Sequence, residues 1–87
     1  MSNEEWERFV EQEIARRFPL GFTNFSGKGR WRHSSGKFVT DTCEWVLIFC
    51  ELNSSADVEI EAIRTSYKQK FGLESVLRAD SSARISF

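Results

Sequence analysis

The chain has 87 residues, 40% of them hydrophobic, with eight Phe and three Trp against one Pro and five Gly. That is room for one domain around one core, and the composition excludes a disordered tail, a linker or a low-complexity chain. Twelve Lys and Arg face thirteen Asp and Glu, so the chain as a whole is drawn electrostatically neither to nucleic acid nor to an anionic membrane.

Charge is arranged in blocks. Residues 1 to 13 hold five Glu against Arg8; residues 16 to 37 hold six Lys or Arg and no acid; residues 41 to 61 hold six acids and no base; residues 64 to 84 hold five bases and two acids. Such blocks either face one another across the fold or leave a basic binding face.

Ser2-Asn3-Glu4-Glu5 has the spacing of a capping box, and a helix is expected to start there. Trp6, Phe9, Val10, Ile14 and Phe18 recur at helical spacing as its inward stripe, and Pro19 and Gly21 end it. From Phe22 to His33 the pattern is β-like, with Phe25 and Trp31 as packing residues and Gly27 and Gly29 marking a bulge or a close backbone approach. Ser34-Ser35-Gly36 is turn chemistry, and a long strand from Phe38 to Leu52 follows, so the two runs read as a β-hairpin. Alternation places the basic patch Lys28, Arg30 and Arg32 on one face, with Asp41 expected in register to meet it.

The second strand contains the run Trp45 to Cys50, six apolar residues without a break, far short of the roughly 20 that a spanning helix needs. Trp45, Leu47 and Phe49 point to one face, Val46, Ile48 and Cys50 to the other. With helices on only one side of a two-layer domain, the Val46, Ile48, Cys50 face is the expected interface. Ser54 and Asp57 are spaced as a second cap. A helix is expected from there to Phe71, with Ile60, Ile63, Tyr67 and Phe71 on its buried side and Gly72 as its stop. Residues 74 to 87 are again β-like, either one bulged strand or a short hairpin broken at Ser81-Ser82.

Gly29-Arg30-Trp31-Arg32, the run from Ile63 to Phe71, Glu74 to Ser81, the closing Ser86-Phe87, the Glu-Glu-Trp start and Arg17 to Gly21 together resemble the bacterial domain-of-unknown-function family 3574 over nearly the whole chain. The resemblance implies an α+β two-layer domain, ferredoxin-like or truncated ferredoxin-like (αββαβ), with an antiparallel sheet and two helices on one face. It brings no activity. In the family a strand precedes the first helix, whereas here Met1 stands directly before the cap. The expectation is therefore that the last strands close the gap in the sheet and that the chain forms a homodimer or binds a protein partner.

Chemistry-bearing residues are sparse. His33 is the lone His and sits beside a turn, with no nucleophile or carboxylate in a recognisable pattern, so no catalytic residue is assigned. His33, Cys43 and Cys50 lack metal-ligand spacing, and no metal or cofactor is expected. On one strand the two Cys lie about 23 Å apart and on opposite faces, so reduced thiols are expected. Gly27-Lys28-Gly29-Arg30 lacks the spacing of a phosphate-binding loop. Trp31 alternates away from Lys28, Arg30 and Arg32, which separates a base-stacking ring from the cations and argues against nucleic acid.

A small-molecule site is the alternative to an association domain. It would be lined by Trp31, Trp45, Tyr67 and Arg78, with Arg78 either holding an anion or paired with Glu74 or Asp80. The N-terminus has no signal-peptide pattern, so a cytoplasmic setting is the default expectation.

Overall fold

In a computed structural model, which describes residues 2–51 and 53–87, the chain starts in helix α1 (Asn3–Phe9). The Ser2 hydroxyl accepts the Glu5 backbone N–H at 3.1 Å and donates to the Glu5 carboxylate at 3.2 Å, which satisfies one of the helix's orphan donors. From Val10 to Ala15 the backbone widens into a π-helical stretch, where the regular 3.6 spacing predicts a continuous α-helix. Four of the five expected stripe residues stay buried through the wider turn, while Phe18 lies past the helix end and is only partly covered. Trp6, Phe9, Val10 and Ile14 are the buried core, and Phe22, Val46, Ile63, Tyr67 and Phe71 pack against it.

The hairpin forms from β1 (Thr23–Arg32) and β2 (Phe38–Leu47), antiparallel, as the whole of a two-stranded sheet. His33 and Lys37 close the turn, His33 N–H donating to the Lys37 carbonyl at 2.7 Å. The register runs unbroken from Thr23 opposite Leu47 to Arg32 opposite Phe38, so the expected bulge at Gly27 or Gly29 is absent. The two glycines seat indole rings instead. A Cβ on Gly29 would lie 2.2 Å from the Trp31 ring and 2.7 Å from the Cys43 sulfur, and one on Gly27 would lie 3.2 Å from Trp45 Nε1.

The same register corrects the expected ion pairs. Asp41 stands opposite Gly29, on the Trp31 face, while Lys28, Arg30 and Arg32 face Thr42, Thr40 and Phe38. A one-residue offset moves a side chain to the other face. Asp41 instead accepts the Thr42 backbone N–H at 2.8 Å, and the Arg32 guanidinium lies 5.1 Å above the Phe38 ring.

The second strand ends at Leu47 rather than at Leu52, a position outside the described residues. Val46 faces the buried cluster, whereas Ile48 and Cys50 lie beyond the strand, so these three residues do not share one sheet face. Helix α2 (Ser54–Phe71) is capped by Asn53, whose side chain accepts the Ala56 N–H at 2.9 Å, one residue earlier than the expected Ser54 cap. Gly72 terminates it with φ 64°, the left-handed conformation that costs a glycine no Cβ clash. Arg17 joins the two helices through Glu13 and Glu59.

Residues 74 to 87 carry a strand-like pattern but form no strand. Among the described residues no backbone-to-backbone hydrogen bond reaches them, because a strand exists only where an edge accepts its ladder. The architecture is therefore α+β: two helices and a two-stranded antiparallel sheet.

Candidate functional site

The ribbon segregates its side chains by face. On one face lie Phe25 and Trp31 from β1 with Val39, Asp41, Cys43, Trp45 and Leu47 from β2; on the other lie Ser26, Lys28, Arg30 and Arg32 with Phe38, Thr40, Thr42, Glu44 and Val46. The Phe25 and Trp45 rings stack with centroids 6.0 Å apart and planes within 2°. Phe25, Trp31 and Trp45 are 48%, 51% and 49% exposed, with Val39 and Leu47 exposed beside them. Half-covered aromatics of this size leave roughly 400 Å² or more of apolar surface in one patch, the size at which patches mark binding sites.

At its base the ribbon meets the helices. A two-stranded ribbon twists strongly, so residues of both its faces border the helix pair there. A cleft of about 330 Å³ opens between Trp45, Val46 and Ile48, the α2 residues Ile63 and Tyr67, and the tail from Val76 to Asp80. It brings three of the four expected ligand-site residues together, Trp45, Tyr67 and Arg78. Trp31 stands farther along the ribbon, over Gly29.

The polar groups at the cleft are committed to one another. The Arg78 side chain, 16% exposed, donates to Asp80, to Asp57 at 2.8 Å and to Glu61 at 3.0 Å. Three carboxylates around one guanidinium push its pKa up, hydrogen bonding to Asp80 most of all. Hydrogen bonds from Arg64 and then Arg78 hold Glu61 below the usual carboxylate range. Arg64 also donates to the Val76 carbonyl at 2.6 and 3.1 Å. These two arginines fasten the tail to α2 rather than offering an empty anion seat. Sequence reasoning anticipated the Asp80 pair; Asp57 and Glu61, an i, i+4 pair facing the tail, had no signal linking them to a residue so far along the chain.

Tyr67 meets Phe9 edge-on at 5.3 Å and Trp6 at 6.0 Å. Burial raises its phenol pKa above the ordinary 10.0, and the Glu44 charge adds to the shift. A folded-state value above the unfolded one means stabilisation is fully present below about pH 10 and is lost as pH rises through the folded value. As the chain has one tyrosine, phenolate absorbance reads this group alone. The titration midpoint is expected above 10 in the folded protein and at the ordinary value in denaturant; equal midpoints would place Tyr67 in solvent.

Among the described residues no group of three or more His, Cys, Asp or Glu is placed to hold a metal ion. No described helix is long and apolar enough to cross a membrane. His33 sits in the exposed turn with Ser35 Oγ 3.2 Å from its Nδ1, and both Cys are free. The family model described as protein of unknown function (DUF3574) matches residues 1–87. Neither a curated protein nor a solved structure matches the chain.

Proposed function

The chain belongs to the DUF3574 family of proteins of unknown function, and from that premise we propose that it is a non-enzymatic association domain. It pairs with a second copy of itself through the aromatic face of the ribbon: Phe25, Trp31, Val39, Trp45 and Leu47. The observation that carries this reading is the amount of surface the single chain leaves in water.

Its accessible area is 7220 Å², whereas a folded monomer of this mass exposes about 5,300 Å². The Cα radius of gyration is 14.6 Å, against about 12 Å for a compact chain of this length. The excess area, roughly 1,900 Å², exceeds the ~800 Å² that each partner gives to a standard interface. Among the described residues four are buried, Phe9 and Ile14 fully so, a core small enough that association contributes to holding the chain folded.

A second copy fits this surface better than a charged partner does. Apart from Asp41 the patch is apolar, and the near-neutral charge balance sets up no bulk repulsion between identical chains. Packing two such faces is a two-fold, self-complementary arrangement of the sheet-on-sheet kind. The order helix, hairpin, helix and β-patterned tail fits the ferredoxin-like αββαβ reading, with the aromatic face beyond the ribbon's base left for the partner.

The alternative, a small-molecule site at Trp45, Tyr67 and Arg78, is the weaker reading because the cleft's guanidinium groups already hold carboxylates and a carbonyl. The test is the mass in solution by light scattering across a dilution series. A dimer that dissociates on dilution supports the proposal, and a monomer at every concentration up to millimolar overturns it.

A further inference from the structure

We infer that the C-terminal segment 81–87 is an exchanged strand: it adds to the free edge of β2 in a second copy, and that copy returns its own segment to the first. This rests on the self-association reading and names the elements that carry it. The first observation is a mismatch between pattern and state. Residues 83 to 87, Ala-Arg-Ile-Ser-Phe, alternate apolar and polar as a strand does. Yet residues 81 to 87 are all exposed, Ile85 and Phe87 included, and among the described residues no backbone hydrogen bond pairs them.

The second observation is the edge. The sheet has two strands, so β2 presents an unpaired ladder along ten residues. An isolated two-stranded ribbon is marginally stable in water, and a third strand with an apolar face makes it self-sustaining. The tail runs beside residues 48–50, past the end of its own β2, across an unfilled gap of about 420 Å³. Arg78 anchors it there to Asp57 and Glu61 of α2.

The chemistry selects β2 over β1 and sets the orientation. Putting Ala83, Ile85 and Phe87 on the aromatic face extends the Phe25–Trp45 stack. The same alternation puts Arg84, which has no ion pair among the described residues, on the face of Glu44. The charged residues that the β1 edge offers Arg84 on that face are Lys28, Arg30 and Arg32, a like-charge row that disfavours pairing there. Reciprocal exchange closes under two-fold symmetry and leaves neither β2 edge open.

Charge reversal in the full chain distinguishes exchange from pairing within one chain. R84E alone and E44K alone each place like charges opposite one another twice per dimer, and each is expected to raise the dissociation constant about tenfold. In a one-to-one mixture of the two variants both cross-chain contacts become Glu with Lys or Arg with Glu, so the mixed dimer should recover the parent's stability. Recovery on mixing supports exchange, because pairing inside one chain gains nothing from mixing.

A parent dimer with both variants unaffected, or weakened variants that mixing does not rescue, overturns the exchange while leaving self-association standing. A parent that stays monomeric fails the underlying reading itself. Should a variant misfold, hydrogen exchange on the parent decides: protection of residues 82–87 that grows with protein concentration supports exchange, and its absence in the dimer overturns it.

Discussion

Phe9→Ala is expected to lower the melting temperature by at least about 12 °C and to leave much of the chain without a cooperative transition. Phe9 is 1% exposed and is the ring on which the core converges. Its centroid lies 5.9 Å from Trp6, 5.3 Å from Tyr67 and 5.8 Å from Phe71, so it joins α1 to two turns of α2. Truncating such a ring costs about 3–5 kcal/mol, the lost transfer energy plus the cavity left behind.

A domain of this size has a total stability of roughly 4–13 kcal/mol, and each kcal/mol is worth about 4–8 °C. Among the described residues the core has three other buried members, Trp6, Val10 and Ile14, with which to absorb the loss. Leu20→Ala, at a fully exposed position, is the control and should change nothing measurable. Thermal unfolding of the two variants decides the matter: a shift of less than a few degrees for Phe9→Ala would mean that the helices do not meet at this ring.

The features that were legible in the sequence are those set by near neighbours. The Ser2 cap, the left-handed Gly72 stop and the hairpin around Ser34-Ser35-Gly36 each depend on residues within a turn of one another. The stripe of Trp6, Phe9, Val10 and Ile14 was readable because one periodicity specifies one buried side. Features that depend on distant partners were not readable. Asp41 faces Trp31 rather than Arg30 because the turn fixes the register in single residues, and composition does not count them.

The end of β2 and the absence of a final strand have a common cause. Hydrophobic alternation says that a segment can pair, while the existence of an edge beside it is a property of the assembled sheet. Val46 shows the same limit within one strand. The doubly apolar run announced two buried or buriable faces, but not that Val46 would meet the helices while Trp45 and Phe25 rimmed an open cleft. Arg78 was legible as a charge seeking a carboxylate, and its attachment to α2 through Asp57 and Glu61 required the fold.

Trp31→Lys should separate association from folding, and its effect on dimer stability is expected to be the largest of any surface substitution. The indole lies over Gly29 near the Cys43 sulfur, with half its surface in water, and it is not among the residues lining the cleft at the ribbon's base. Its removal from an isolated chain should therefore cost no more than about 1 kcal/mol, the range of cross-strand packing on a ribbon.

In a dimer built on the aromatic face the same ring is a central, desolvated anchor. Truncating an anchor of this kind costs 2 kcal/mol or more, and the substitution occurs twice under two-fold symmetry. The dissociation constant should rise by at least about a thousandfold, while the far-ultraviolet spectrum and the melting of the monomer stay close to the parent's at the same degree of dissociation. The measurement is a paired dilution series by light scattering, with Leu20→Lys as a surface control that adds the same charge away from the ribbon. A folded Trp31→Lys chain with an unchanged dissociation midpoint would remove the aromatic face from the interface. A midpoint moved equally by Leu20→Lys would assign the effect to net charge. A midpoint moved by Trp31→Lys alone ties the exposed aromatic stripe, the excess surface of the single chain and the unpaired ribbon edge to one cause, a fold that is completed only when two copies meet.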